Sequence, residues 1–157
     1  MGKWMCSVAA ATLLSACIGG GDGGADAVYV VSPDRSFADN LNGVRSNVGA
    51  GALTFDERLQ RAAQSHADDM LEHDYFSHTG RDGSGVGDRV TAQGYKWRLV
   101  GENIAKGQQS ETEALISWQN SDGHRRNNEN RNFEDFALAK AGSGSDTYWV
   151  LVLASEF

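Results

Sequence analysis

Six consecutive residues, Tyr148-Trp149-Val150-Leu151-Val152-Leu153, run without a polar interruption. A strand wetted on one face alternates apolar with polar positions, so a strand that is apolar throughout has to be covered on both faces. Just upstream, residues 136–141 also have strand composition, and Gly142-Ser143-Gly144-Ser145-Asp146 between the two runs reads as the loop of a hairpin. The chain must therefore supply two layers of cover, and three earlier segments have the period to be helices.

Ser36 with Asp39, followed by Phe37, Leu41, Val44 and Val48 at helical spacing, predicts a capped amphipathic helix that Gly49 and Gly51 end. Thr54 with Glu57 predicts a second capping box. Its helix reaches Glu72 and buries a stripe of Phe55, Leu59, Ala62, Ala63, His66, Ala67 and Met70. Ser110 with Glu113 opens a third helix, with Ala114, Leu115 and Trp118 inward. Between the second and third helices lie a turn-rich stretch over 79–85, a short helix through Arg89 and Val90 up to Gly94, and an extended segment over 99–105. These elements predict an α+β fold, a three-layer α/β/α sandwich around a small, mostly antiparallel sheet.

Residues 1–16 hold one charge, Lys3, and an apolar run over 4–14 that closes in Leu14-Ser15-Ala16-Cys17. This is the pattern of a secretory signal peptide, and it is too short to span a bilayer. The ending resembles the bacterial lipobox, which implies that Cys17 is acylated and becomes the first mature residue. One acyl chain, at about 0.8 kcal/mol per buried methylene, anchors marginally, whereas two or more anchor stably. Residues 17–28 then read as lipidated Cys and Gly-rich tether, and residues 29–157 as one domain. Cys6 leaves with the signal, so no disulfide forms and packing alone must hold the fold. The expected location is extracytoplasmic, lipid-anchored to the cell envelope, with the membrane as a partner. The formal charge is -7, and a surface this acidic repels phosphate backbones, which argues against nucleic acid.

Five segments carry a resemblance to a known family. They are Ala63-Gln64-Ser65-His66-Ala67-Asp68-Asp69-Met70, Phe76-Ser77-His78-Thr79-Gly80, Gly101-Glu102-Asn103-Ile104-Ala105, Trp118-Gln119-Asn120-Ser121-Asp122-Gly123-His124-Arg125 and Tyr148-Trp149-Val150. In this order they resemble the CAP superfamily of cysteine-rich secretory proteins, antigen 5 and pathogenesis-related 1 proteins, in its bacterial, disulfide-free form. The resemblance implies a surface cavity where His78, Glu102 and His124 converge, with Ser121 where many members carry a further Glu. Two departures stand out. Residues 127–130, Asn-Asn-Glu-Asn, replace an apolar pair that would cover the core, and Phe136 stands where a Gly commonly opens the next strand and is expected to fill part of the groove or reshape it.

Two imidazoles and a carboxylate suit zinc, with a fourth position open to water or ligand. Each residue also has a bracing role open to it: His78 against the loop that follows it, Glu102 at the Gly101 turn, and His124 at a helix end. His66, on an apolar stripe, reads as a hydrogen-bonded core residue, and His73 as a helix-end residue favoured by the dipole. The resemblance implies a non-enzymatic module that binds a lipid, an envelope component or a protein through this cavity. The alternative is a zinc-dependent hydrolase with His78, His124 and Glu102 as ligands or Glu102 as base. That reading lacks the His-Glu-x-x-His helix of the common zinc hydrolases.

Overall fold

The structure is a computed structural model that describes residues 30–157. The expected signal peptide, Cys17 and the expected Gly-rich tether lie outside the described residues. Helix α1 (Phe37–Asn47) begins at Ser36, whose hydroxyl accepts from the Asp39 amide, and strand β1 (Thr54–Phe55) follows it. Next come α2 (Glu57–Glu72), α3 (Val86–Ala92), β2 (Trp97–Lys106) and α4 (Glu111–Gln119), the last capped by Ser110 through the Glu113 amide. Helix α5 (Asp122–Asn128) leads to the hairpin of β3 (Asp135–Ala141) and β4 (Tyr148–Glu156).

The sheet order is β1-β3-β4-β2. The apolar run is thus an inner strand, antiparallel to β2 on one side and to β3 on the other, and β1 adds to β3 in parallel. Alternate residues of β4 serve opposite cores. Tyr148, Val150, Val152 and Ala154 pack with Leu59, Ala63, Met70 and Val90 of α2 and α3. Trp149, Leu151 and Leu153 pack with Leu41, Val44, Leu115 and Trp118 of α1 and α4. At about 1.5–3 kcal/mol for each large apolar side chain fully buried, this doubly covered strand is a principal source of stability in a domain without disulfides.

Four expectations need correction. The N-cap of α2 is Asp56, whose carboxylate accepts from the amides of Arg58 and Leu59. A charged oxygen at that position bonds the first-turn amides directly, so Thr54 is released into β1. Phe55 goes with it: the ring is half exposed and meets the edge of Phe136 rather than joining the α2 stripe. The extended segment is longer than 99–105, running over Trp97–Lys106 with a register shift between Trp97 and Leu99. Phe136 does not fill the groove; it is buried in the core, 6.1 Å from the Phe37 ring.

The polar run 127–130 has a physical explanation. Asn128 is fully buried; its Oδ1 accepts from Asn103 Nδ2 at 2.9 Å and its Nδ2 donates to Gln119 Oε1 at 2.8 Å. Asn127 Nδ2 donates to Asn103 Oδ1 at 2.8 Å and to the Glu102 carbonyl at 3.3 Å. Beneath them lies Arg45, with no exposed surface. Its guanidinium donates to the carbonyls of Gly51, Asn128, Asn130 and Phe133 at 2.7–3.0 Å. A hydrogen-bonded amide and guanidinium network takes the place of apolar cover here, and its members satisfy one another.

Candidate functional site

The site is built on β2 where that strand pairs with the centre of β4, with Glu102 opposite Val152. Gly101, just before it, has no room for a side chain: a Cβ there would stand 2.9 Å from the buried ring of Phe133. The Glu102 side chain is almost wholly buried, and both of its oxygens are engaged. Oε1 meets His78 Nδ1 at 2.8 Å, and Oε2 accepts from Arg89 Nη2 at 2.7 Å. Arg89, on α3, also donates to the carbonyls of His78 and Ser84, so one guanidinium holds the carboxylate and the backbone on both sides of the turn-rich loop.

His78 is bound on its Nδ1 side while more than half of its side chain faces water. His124, on α5, is half-buried, and Asn103 Nδ2 donates to its carbonyl at 3.0 Å, tying α5 to β2. Burial holds the His124 pKa below its ordinary value, and charge on nearby His78 lowers it further. The structure thus brings His78 and Glu102 into direct contact and His124 into electrostatic range of His78. Ser121 begins α5 as its N-cap without a side-chain capping bond and has no hydrogen bond to the other three. His66 is buried with Nε2 2.9 Å from the Ser77 carbonyl, the core role expected of it, and burial lowers its pKa too. His73 sits at the C-cap of α2 beside Asp69.

The expected zinc arrangement of His78, Glu102 and His124 does not form. Among the described residues no group of three His, Cys, Asp or Glu side chains stands where it could hold a metal ion. A guanidinium, that of Arg89, stands on one oxygen of Glu102, and the second oxygen is held by His78.

Arg89 and the Asn103–Asn127 pair are the residues that sequence reasoning missed. No local spacing links Arg89 to Glu102; its only signal was a place beside Val90, the buried residue of α3.

Depressed histidine pKa values make stability depend on pH with a definite sign. The ordinary value for His66 and His124 is 6.5, and both lie lower in the folded domain. The stability linked to their neutral forms is fully present above that value and is lost as pH falls through the folded values. Urea midpoints should therefore fall between about pH 7.5 and about pH 5.5, before the low-lying carboxylates of Asp56, Asp69 and Glu156 begin to protonate. A midpoint that stays level across this window would contradict the buried, neutral assignment.

Residues 38–153 match the cysteine-rich secretory protein family, CAP. The uncharacterized protein YkwD of Bacillus subtilis (strain 168) is 33% identical over 112 residues, covering 71% of this chain and 44% of that protein. The chain thus spans less than half the length of this relative. An extracellular protein containing a SCP domain from Bacillus anthracis is 29% identical with a TM-score of 0.69, covering 76% of this chain and 39% of that one. An outer surface protein from Borrelia burgdorferi shares the fold at 17% identity, with a TM-score of 0.71 over 76% of this chain and 90% of that one. No helix among the described residues is long and apolar enough to cross a membrane. With the α/β/α sandwich and the match over 38–153 in agreement, the chain belongs to the CAP family of cysteine-rich secretory proteins.

Proposed function

We propose that this chain is an extracytoplasmic binding module, held to the envelope by lipid on Cys17, that takes the polar part of a lipid, an envelope component or a protein at His78 and His124. The observation that carries the reading is the clamped carboxylate: Glu102 is buried with one oxygen on Arg89 and the other on His78. A general base needs a free carboxylate oxygen near water, and Glu102 has none to offer. Its work is to fix the His78 ring, which leaves Nε2 toward solvent as a hydrogen-bonding group for a ligand. His124, disposed to stay neutral, adds a second such group. The zinc-dependent hydrolase is not favoured, because its ligand set lacks a free carboxylate. Envelope anchoring is supported by the signal pattern and the Leu14-Ser15-Ala16-Cys17 ending, and by the extracellular description of the Bacillus anthracis relative.

The test is made on the full chain expressed in a bacterium. It should fractionate with membranes, whereas Cys17→Ser should appear in the soluble fraction. Mass spectrometry of molecules that co-purify should find a ligand that a His78→Ala/His124→Ala double variant retains at least about tenfold less, the effect of losing roughly 1.4 kcal/mol of binding energy. Equal partition of wild type and Cys17→Ser would remove the anchor. Unchanged capture by the double variant would remove the cavity.

A further inference from the structure

Past Tyr75, the segment that delivers His78 to the site has little packing of its own. Phe76 is 50% exposed, and His78 and Thr79 also face water. Apolar burial therefore does not fix its course, and hydrogen bonds have to. A peptide unit is planar, so the place of a residue is set by two dihedrals, one toward each flanking plane. Both planes around His78 are held by side chains of other elements. The plane after it is held at the His78 carbonyl, to which Arg89 donates through Nη1 and Nη2 at 3.2 Å each. The plane before it is held at the Ser77 carbonyl, 2.9 Å from His66 Nε2.

His66 is otherwise a costly residue for its place. It is 2% exposed on the apolar stripe of α2, with Ala62 and Ala63 on one turn and Ala67 and Met70 on the next. A polar ring among such neighbours is destabilising unless it is hydrogen-bonded, and the bond it makes runs to the loop rather than within the helix. A carbonyl oxygen only accepts, so His66 Nε2 carries the proton. The Tyr75 ring meets the imidazole edge to face, with centroids 6.2 Å apart, which fixes the plane of the donor.

We propose that His66 is a positioning residue for the His78 site: through the Ser77 carbonyl it sets the backbone from which His78 reaches Glu102, and with it the direction in which His78 presents Nε2. The role rests on the reading of His78 as a group that meets a ligand, but the contact is measured on the rings and needs no ligand.

The test is NMR of the imidazole nitrogens in the full chain in detergent, at about pH 8, where imidazoles are commonly neutral. His66 should carry its proton on Nε2, and His78 on Nδ1, the nitrogen that faces the Glu102 oxygen. His66→Phe keeps a ring without the donor, and His66→Asn keeps an amide that is too short to reach. Either should move His78 toward the Nε2-protonated form. Either should also speed exchange of the Gly80 amide, bonded at 2.9 Å to the Ser84 carbonyl, about tenfold. His66→Gln carries an N–H near the place of Nε2 and should restore both. Tyr75→Phe removes the bond to Asp69 and loosens the same segment without touching the Ser77 carbonyl, so His78 should keep its tautomer. Should neither removal fold, the wild-type tautomers and His66→Gln decide. A wild-type His66 proton on Nδ1, an unchanged His78 tautomer in a folded removal variant, failure of His66→Gln to hold that tautomer, or an equal shift in Tyr75→Phe would each overturn the assignment. A chain with the expected tautomers that captures no ligand would remove the binding reading alone, and His66 would still be the residue that orients His78.

Discussion

Arg45→Ala should cost about 4 kcal/mol or more, which is most of the stability of a small domain. The side chain is fully buried and its guanidinium is the partner of four carbonyls, from Gly51, Asn128, Asn130 and Phe133. No acid neutralises it among the described residues; the carbonyl dipoles do so. Its removal leaves acceptors without donors at about 1–3 kcal/mol each where water cannot reach them. The sum is discounted because the carbonyl bonds to Gly51 and Asn130 are only part-buried. Urea denaturation with a secondary-structure signal reads the effect. Arg45→Lys should recover only part of it, since a single ammonium cannot span a fork that reaches three separate backbone segments. A loss below about 1 kcal/mol for the alanine variant would show that water replaces the guanidinium, and that the network is not a pillar of the fold.

Glu102→Ala is the second large effect, at about 3–5 kcal/mol. Side-chain exposure is 3% for Glu102 and 11% for Arg89, so deletion of the carboxylate strands a guanidinium in a place with little water. His78 loses the carboxylate that holds its ring in the same step. Glu102→Gln retains the shape and one acceptor and should cost less, while freeing His78 to change rotamer. Denaturation gives the first quantity. Amide hydrogen exchange over 77–85 gives the second, because Arg89 also secures the His78 and Ser84 carbonyls. If Glu102→Ala were neutral, the carboxylate would not be the brace described above, and the binding proposal would lose its main support.

The parts of this fold that could be read from the chain are those with a short period. The unbroken strand at 148–153, the hairpin, the Ser36 and Ser110 caps and the stripe from Leu59 to Met70 all follow from spacings of two to four residues. The capping error at Thr54 was a choice between two acceptable caps two residues apart, and a carboxylate in contact with two first-turn amides decided it. Arg45 was legible in principle. It falls four residues after Leu41 and eight after Phe37, on the buried face of α1, but a charged residue on such a face says nothing about which carbonyls will receive it. The candidate site was not legible from spacing at all. His78, Arg89, Glu102 and His124 belong to different elements, and only the family resemblance nominated three of them, while Arg89, which decides the electrostatics, was seen only once the sheet and α3 were placed side by side.

The order in which the sheet is assembled follows from its topology. The strand at its middle, β4, is the last element of the domain to leave the ribosome, and neither β2 nor β3 has a complete set of backbone partners before it arrives. Until then the nascent polymer holds helices without a platform. Stable packing on either face of the sheet therefore waits for the final strand to emerge.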